Sequence, residues 1–512
     1  MKCLLIFLSI AFCFGDANAQ SLLDPSFGNN GKVSPMYNNS DQGGVVFLAP
    51  NSSGYFYAIA AGQIAKFDTH GNIMNSFGAN GWATPPFYVY NSYNYYYTPS
   101  FLIEQTDGSI IAGGSIYNHI LATSSDIFLF KLKVNGQSLD STFGTNGLVI
   151  QNISNQDYAY CMTQQLDGKI IIGGGCASND TLMLVRFNSD GGLDTGFGTS
   201  GVIKKAIGQY NSSAKSIFVL NNGKIVVGVR TENFLNNADF AILRFHPNGL
   251  IDTSFGNSGI IFTDAYGSGY GLLADMVIQS DNKILLIGGN PIIRNGFLVI
   301  RLHPDGSKDT TFNHSGVQKI DIDNSGAASR IALQTNGDII IGGYYDTTSE
   351  KENWGVIRLT STGQLDQTFG IGGKIRLSMG DRQERISDMK IQSDGKILSC
   401  GYYENGSWPN LVTRMIVVRL LKDGINEVAQ VPRTNHVIRI YPNPADGTVN
   451  LESEIQIVQV QVADITGRMV FSSEEFPKQE IQTNHIPDGI YILKLFFKDH
   501  TTHTEKLSIQ HR

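Results

Sequence analysis

The sequence predicts an all-β protein, a seven-bladed β-propeller followed by a small C-terminal β-sandwich. Three observations carry that expectation. Three short signatures recur in fixed order along most of the chain, Asp-Gly and Asn-Gly turns separate short apolar runs, and the repeat stops near Asn426. Composition agrees, since 56 Gly, 28 Phe and 21 Tyr against only 16% charged residues suit short strands joined by tight turns. A formal charge of −7 with no block of like charge offers neither a phosphate-tracking patch nor a basic membrane-binding face, which argues against nucleic acid as a partner.

The first signature is Phe-Gly-x-x-Gly, with its phenylalanine at Phe27, Phe77, Phe143, Phe197, Phe255 and Phe369 and a decayed copy at Phe312. The second is a turn and an apolar strand ending in small residues, complete in 165–174 and 392–401. It returns near Gly108, Gly223, Asn282 and Gly337, with a degenerate copy at Ser53 and Gly54. The third is an apolar strand closed by a basic residue and a turn, as in 242–249 and 299–306. Successive phenylalanines lie 50, 66, 54, 58, 57 and 57 residues apart, close to the length of one four-stranded unit. Within the third unit strands are expected near 148–153, 158–165, 169–174 and 181–187. The turn residues tolerate positive φ, and the paired glycines after the apolar strand let neighbouring backbones approach.

The ends of the array decide between architectures. The last unit carries Arg419 and the turn at Gly424 but no Phe-Gly-x-x-Gly, whereas the chain begins with an unpartnered copy at 23–31. The N-terminal piece supplies what the last unit lacks. A ring closed by residues 22–33 removes the exposed sheet edges that an open array must protect, so a propeller is preferred to a β-solenoid.

These runs, Asp-Gly-Lys-Ile-x-x-x-Gly-Gly, Arg-Phe-x-x-Asp-Gly and Leu-Asp-x-x-Phe-Gly-x-x-Gly, resemble the delta-60 repeat family over residues 22–427. The resemblance implies a secreted bacterial propeller and brings no shared catalytic residue with it. After a linker at 431–435 the pattern changes to strict alternation, as in Ile455-Gln-Ile-Val-Gln-Val-Gln-Val462, which suits half-buried strands of a small sandwich over 436–512. That region resembles the type IX (Por) secretion C-terminal sorting domain. Three motifs carry the likeness: Tyr441-Pro442-Asn443-Pro444, the segment from Asp464 through Gly467 to Arg468, and the strand opening Gly489-Ile-Tyr491. The resemblance implies contact with the type IX secretion machinery and carriage across the outer membrane. It also implies later removal of the domain, with the cargo released or attached to surface polysaccharide, and a source of the Bacteroidetes type.

The N-terminus fits export. Met1-Lys2, an apolar run from Cys3 to Phe14 too short to span a bilayer, and Ala17-Asn18-Ala19 before Gln20 read as a signal peptide of residues 1–19, with the repeats occupying 20–430. Its loss leaves Cys161, Cys176 and Cys400, an odd number that builds no complete disulfide framework; Cys161 and Cys176 are expected as buried free thiols. No second apolar run is long enough to cross a membrane, and a monomer is expected.

A search for chemistry finds scaffold. No Gly-x-Ser-x-Gly elbow occurs, and no Gly-Lys pair is followed by the Ser or Thr of a phosphate loop. The Gly269-Tyr-Gly271 run leads into a strand rather than a helix, and His500 and His503 lack a metalloprotease Glu. Asp107, Asp167 and Asp394 each precede a turn Gly, and Arg186, Arg244, Arg301, Arg358 and Arg419 recur at one position, as structural groups do. The segment 321–326 imitates part of a calcium loop without its distal acidic ligand, so neither metal nor cofactor is expected.

A surface binding protein for a glycan or protein is therefore expected, with a secreted propeller hydrolase or lyase acting on polysaccharide as the alternative class. An enzyme would need non-repeated acids or bases converging on one pocket, because a site breaks the symmetry of its scaffold. Strand parity puts the uniform Asp-Gly turns on one face and the irregular loops on the other. The expected ligand-binding residues on the loop face are Tyr88, Tyr90, Tyr93, Tyr95, Tyr96, Tyr97, Trp354, Tyr402 and Trp408.

Overall fold

A four-stranded sheet with both faces apolar cannot be buried alone, and repetition around an axis covers each sheet with its neighbours. The computed structural model describes residues 22–36, 44–60, 62–84, 95–118, 124–176, 181–207, 210–232, 240–263, 271–289, 296–322, 326–348, 351–406, 410–423, 438–453, 456–464, 468–473, 479–498 and 502–511. No helix occurs among them. The expected signal peptide and the linker at 431–435 lie outside the described residues. The chain divides into two compact units, Met1–Ile425 and Asn426–Arg512.

The first unit is a ring of seven antiparallel four-stranded blades. Blade 3 shows the plan. Asp157–Gln164 is innermost, followed outward by Ile170–Cys176, Thr181–Phe187 and Val202–Lys205. The innermost strands of blades 1 to 7 are Val45–Pro50, Tyr95–Glu104, Asp157–Gln164, Tyr210–Val219, Leu272–Ile278, Gly326–Leu333 and Glu384–Ile391. Each packs on the innermost strands of both neighbouring blades. Blade 7 takes its outermost strand, Lys32–Val33, from the other end of the chain, with Lys32 opposite Val418 and Val33 opposite Val417. Leu421 N also donates to Leu22 O at 3.0 Å, so residues 22–33 close the ring as expected.

One boundary moves relative to the sequence reading. Leu148–Gln151 does not open the third unit but pairs with Ser124–Leu132 as the outer strand of blade 2. The reason is the Phe-Gly-x-x-Gly turn, which folds the chain straight back on the strand before it. In blade 3 that turn holds Gly198, Ser200 and Gly201 at φ 54°, 51° and 92°. A Cβ on Gly198 would lie 2.5 Å from Val202 O, so the glycine is required both for its φ and for its space.

The same turn joins the blades. Gly198 N donates to Asn248 O in the next blade at 2.9 Å, and equivalent bonds run from Gly28, Gly78, Gly144, Gly256 and Asn313. Beneath it, Arg186 donates through Nε to Asp194 at 2.7 Å and through Nη1 to Pro247 O of the next blade at 2.5 Å, its guanidinium 4.4 Å above the Phe197 ring. Arg244, Arg301, Arg358 and Arg419 repeat this joint with Asp252, Asp309, Asp366 and Asp24. The recurring arginines are therefore structural pairs, as the sequence suggested. The Arg419–Asp24 pair places the same joint across the point of closure.

The second unit is a sandwich. A three-stranded sheet of Arg439–Tyr441, Thr448–Glu452 and Glu480–Gln482 faces a four-stranded one ordered Met469–Ser473, Ile457–Asp464, Gly489–Phe497 and Thr502–Ile509. Alternate residues such as Val460, Val462, Leu493, Leu495 and Leu507 form its core.

Candidate functional site on the inner rim of the ring

Every innermost strand carries a β-bulge at the same place, one extra residue that its partner strand does not match. The second strand makes room with glycine; a Cβ on Gly174 would lie 1.7 Å from Tyr158 O. In five blades the extra residue is small or short: Val46, Ser100, Ala274, Ser329 and Ser387. In blades 3 and 4 it is Tyr160 and Lys215, and these two meet, with Lys215 Nζ 3.9 Å from the centroid of the Tyr160 ring. The rim thus departs from sevenfold symmetry at one place.

Aromatic rings lead to that place from the loop face. Tyr117, near the end of the second strand of blade 2, lies 5.9 Å from Tyr158, and Tyr158 is stacked on Tyr160 at 6.2 Å with the planes 6° apart. Tyr160 keeps 37% of its surface exposed. The Tyr117–Tyr158 pair is tilted by 50°, whereas Tyr158 and Tyr160 are close to parallel.

The charges around Lys215 are also unrepeated. Burial, then the nearby Arg230 and Arg330 guanidinium groups, push the lysine down to about 8. The two carboxylates that directly follow a bulge residue, Asp275 and Asp388, are tied to the scaffold. Asp275 accepts from Ser216 Oγ at 2.7 Å, Met276 N at 2.8 Å and Ile331 N at 3.3 Å. Asp388 accepts from Lys390 at 2.9 Å, Met389 N at 2.9 Å and Leu48 N at 3.0 Å, with Arg330 Nε at 3.6 Å. Both carboxylates tie their blade to a neighbour. Burial pushes the Cys161 thiol up to about 12, and Cys161, Cys176 and Cys400 are all free. No group of three His, Cys, Asp or Glu side chains among the described residues could hold a metal ion.

The expected binding residues fall out as follows. Tyr88, Tyr90, Tyr93 and Trp408 lie outside the described residues. Tyr95, Tyr96 and Tyr97 belong to the first strand of blade 2, with Tyr96 opposite Tyr117 in register. Tyr402 is half-buried in blade 7, opposite Arg385, which grips Glu352 at 2.8 and 3.0 Å and covers the Tyr344 ring at 4.9 Å. Trp354 is a correction, because it is fully buried and cannot meet a ligand. Its strand, Lys351–Leu359, is an interior one, and Gly401 of blade 7 leaves its indole room: a Cβ there would lie 3.0 Å from the ring. Asp107, Asp167 and Asp394 cap their own turns, accepting from the amides of Ser109, Lys169 and Lys396. His503 pairs with Glu505 at 2.9 Å on an exposed strand; His500 and part of the 321–326 segment lie outside the described residues.

Sequence reading missed Tyr117, Tyr158, Tyr160 and Lys215. A signal existed: Tyr160 and Lys215 both stand five residues before the first residue of the turn leading to the second strand, where other repeats have Ser, Ala or Val.

Open grooves also lie between blades, as at 198–205 against 249–251, but equivalent grooves recur at the neighbouring joints. They follow from the repeat itself.

Residues 105–143, 165–197, 220–255, 279–312 and 334–369 match the beta-propeller domain of unknown function DUF5122, and residues 439–510 match the secretion system C-terminal sorting domain. The chain is a repeat propeller with a type IX sorting domain. Each propeller match runs from the turn between first and second strands to the phenylalanine of Phe-Gly. Blade 1 has a degenerate turn, and blade 7 has its phenylalanine at the far end of the chain.

The sorting domain directs type IX export to the cell surface or the medium. Its motif residues build its fold. Asn443 donates to Lys506 O and accepts from Ser508 N, both at 2.9 Å, which pins the Tyr441–Pro444 segment to the last strand. The Tyr441 hydroxyl bonds Glu452, Asp464 accepts from Arg468 N at 3.0 Å, Gly489 pairs with Ile509, and buried Tyr491 donates to Pro487 O at 2.7 Å. Gly467 lies outside the described residues.

No curated protein matches the chain. Among solved structures, one described as the extracellular domain of a hybrid two component system from B. thetaiotaomicron is similar at 10% identity and a TM-score of 0.39. That match covers 92% of this chain and 57% of the other, so the chain spans little more than half its length. A glucose dehydrogenase is similar at 11% identity and a TM-score of 0.38, covering 64% and 96%. An ulvan polysaccharide lyase is similar at 11% and 0.36, covering 80% and 91%.

Proposed function

We propose that the exported propeller is a surface binding protein that engages a sugar polymer on its loop face, at the inner rim. One observation carries the reading: the aromatic run Tyr117–Tyr158–Tyr160, its last two rings stacked and with no counterpart at the bulge of another blade among the described residues, descends from the loop face and leaves Tyr160 exposed. Flat rings held by a rigid scaffold offer large amphipathic surface at low entropic cost, and they suit the apolar faces of sugar rings. Tyr402, towards the loop-face end of the second strand of blade 7, belongs to the same face.

Binding is preferred to hydrolysis or elimination because Asp275 and Asp388, the carboxylates that directly follow a bulge residue, are consumed by hydrogen bonds that join blades.

The test is retention of the full chain on a panel of immobilised polysaccharides, beside the double variant Tyr158→Ala, Tyr160→Ala with an unchanged melting temperature. Loss of retention in the variant is expected. Equal retention of both proteins on every polymer that binds would sink the reading.

A further inference from the structure

The stacked tyrosines end on a cation, and that juxtaposition says more about the ligand than the rings do alone. Lys215 lies against the Tyr160 face, 3.9 Å from its centroid. Arg230 reaches the region from the second strand of the same blade, and Arg330 from the innermost strand of blade 6. The two guanidinium groups set like charge beside Lys215 in a chain whose formal charge is −7.

Asp388 is engaged by Lys390 and Arg330, and Asp275 by a hydroxyl and two amides. Lys215 has instead the ring face of Tyr160. An ammonium held against an aromatic ring among like charges gains most from an incoming anion, since the anion relieves repulsion and supplies charge-assisted hydrogen bonds.

We infer that the inner rim is an anion subsite for an acidic polysaccharide, with Lys215 binding a carboxylate or sulfate while Tyr158 and Tyr160 stack on the adjoining sugar rings. The inference rests on the binding reading above and adds the charge class of the ligand. It makes Lys215 the specificity-determining residue.

A pH signature follows. The groups facing Lys215 are Tyr160, Cys161, Arg230, Arg330 and Asp275. Cys161, pushed up to about 12, stays a neutral thiol through the range of interest. With Lys215 brought down to about 8 in the free protein, the charged form that binds an anion is present below that pH and lost as pH rises through it.

The experiment measures the affinity of the full chain for polygalacturonate and for κ-carrageenan, each beside its neutral form, carboxyl-reduced or desulfated. The proteins are the parent, Lys215→Met, Lys215→Arg and the double variant Tyr158→Ala, Tyr160→Ala. Binding of at least one acidic polymer is expected, about tenfold or more tighter than its neutral form, with Lys215→Met abolishing that preference and Lys215→Arg keeping it. The acidic polymer that binds identifies the anion as carboxylate or sulfate. Affinity should fall between pH 7 and 9 in the parent and stay level in Lys215→Arg. Equal binding of acidic and neutral forms, or an acidic preference untouched in Lys215→Met, overturns the anion subsite. If the double tyrosine variant still loses binding, the sugar-binding reading survives that result. If neither acidic polymer binds, the proposal is wrong.

Discussion

A guanidinium can donate through Nε to a carboxylate, through Nη1 to a carbonyl, and still lay its plane on an aromatic ring; lysine cannot do all three. Arg301 does so, holding Asp309 at 2.7 Å, bonding Ser361 O of the next blade and covering Phe312 at 4.6 Å. Asp309 is fully buried, so Arg301→Ala takes from a buried carboxylate its closest cation and leaves Lys283 at 3.2 Å and the His303 ring at 3.6 Å. The expected cost is about 3 kcal/mol or more by denaturant unfolding; a loss within experimental error would show the joint to be ornamental. Glu384 behaves oppositely. Burial pushes its carboxyl from 4.5 up to about 7, although Met379 N and Gly380 N donate to it at 2.7 and 2.6 Å. A folded pKa above the unfolded one gives a contribution that is full below about pH 4.3 and lost as pH rises towards 7. Glu384→Gln is expected to flatten stability across that interval in paired pH-dependent melts, and an unchanged pH slope would contradict the assignment.

Among elements, the short strand Lys32–Val33 matters more than its length suggests, because it closes the ring and brings Asp24 to Arg419. Burial raises the Asp24 carboxyl, but hydrogen bonds from Ser26 and Lys396 and the charge of Arg419 outweigh it and bring the group down to about 2. Deleting residues 22–33 therefore removes an outer strand and strands the buried Arg419. Its melting temperature should fall well below that of a variant trimmed only to residue 20; equal melting would refute closure. This much was legible in the sequence, because turns and closure are written in local signals: Phe-Gly-x-x-Gly needs positive φ, and the unpartnered N-terminal copy had to belong somewhere. The blade boundary at 148 was misplaced because spacing does not reveal whether a strand pairs backward or forward. The inner rim was only partly legible, for a related reason. The substitution of Tyr160 and Lys215 for a Ser, Ala or Val of the repeat was visible in the sequence, but that the position is a bulge, and that the two residues meet there, became visible only with the register. Trp354 was misjudged because proximity to a loop in sequence does not reveal which face of a strand is covered.

At the scale of the whole molecule, the sorting domain carries export, and the proposed recognition falls to the other unit. The sorting domain has its own core and its own motif-built contacts, and the propeller has a closed ring that needs no edge from elsewhere. Residues 1–19 and roughly 433–512 are expected to be absent from the mature surface form, which intact-mass or terminal-peptide analysis of native cells would establish. A mature chain retaining Gly489 to Arg512 would count against processing.

Hydrogen–deuterium exchange of the full chain, with and without a polysaccharide it retains, reads out whether the proposed recognition occurs on the inner rim beneath the loop face. Protection on binding is predicted in Asp157–Gln164 and Tyr210–Val219, the strands bearing Tyr158, Tyr160 and Lys215. Protection confined to the outer grooves, at 198–205 and 249–251, with those two strands unchanged, would contradict it.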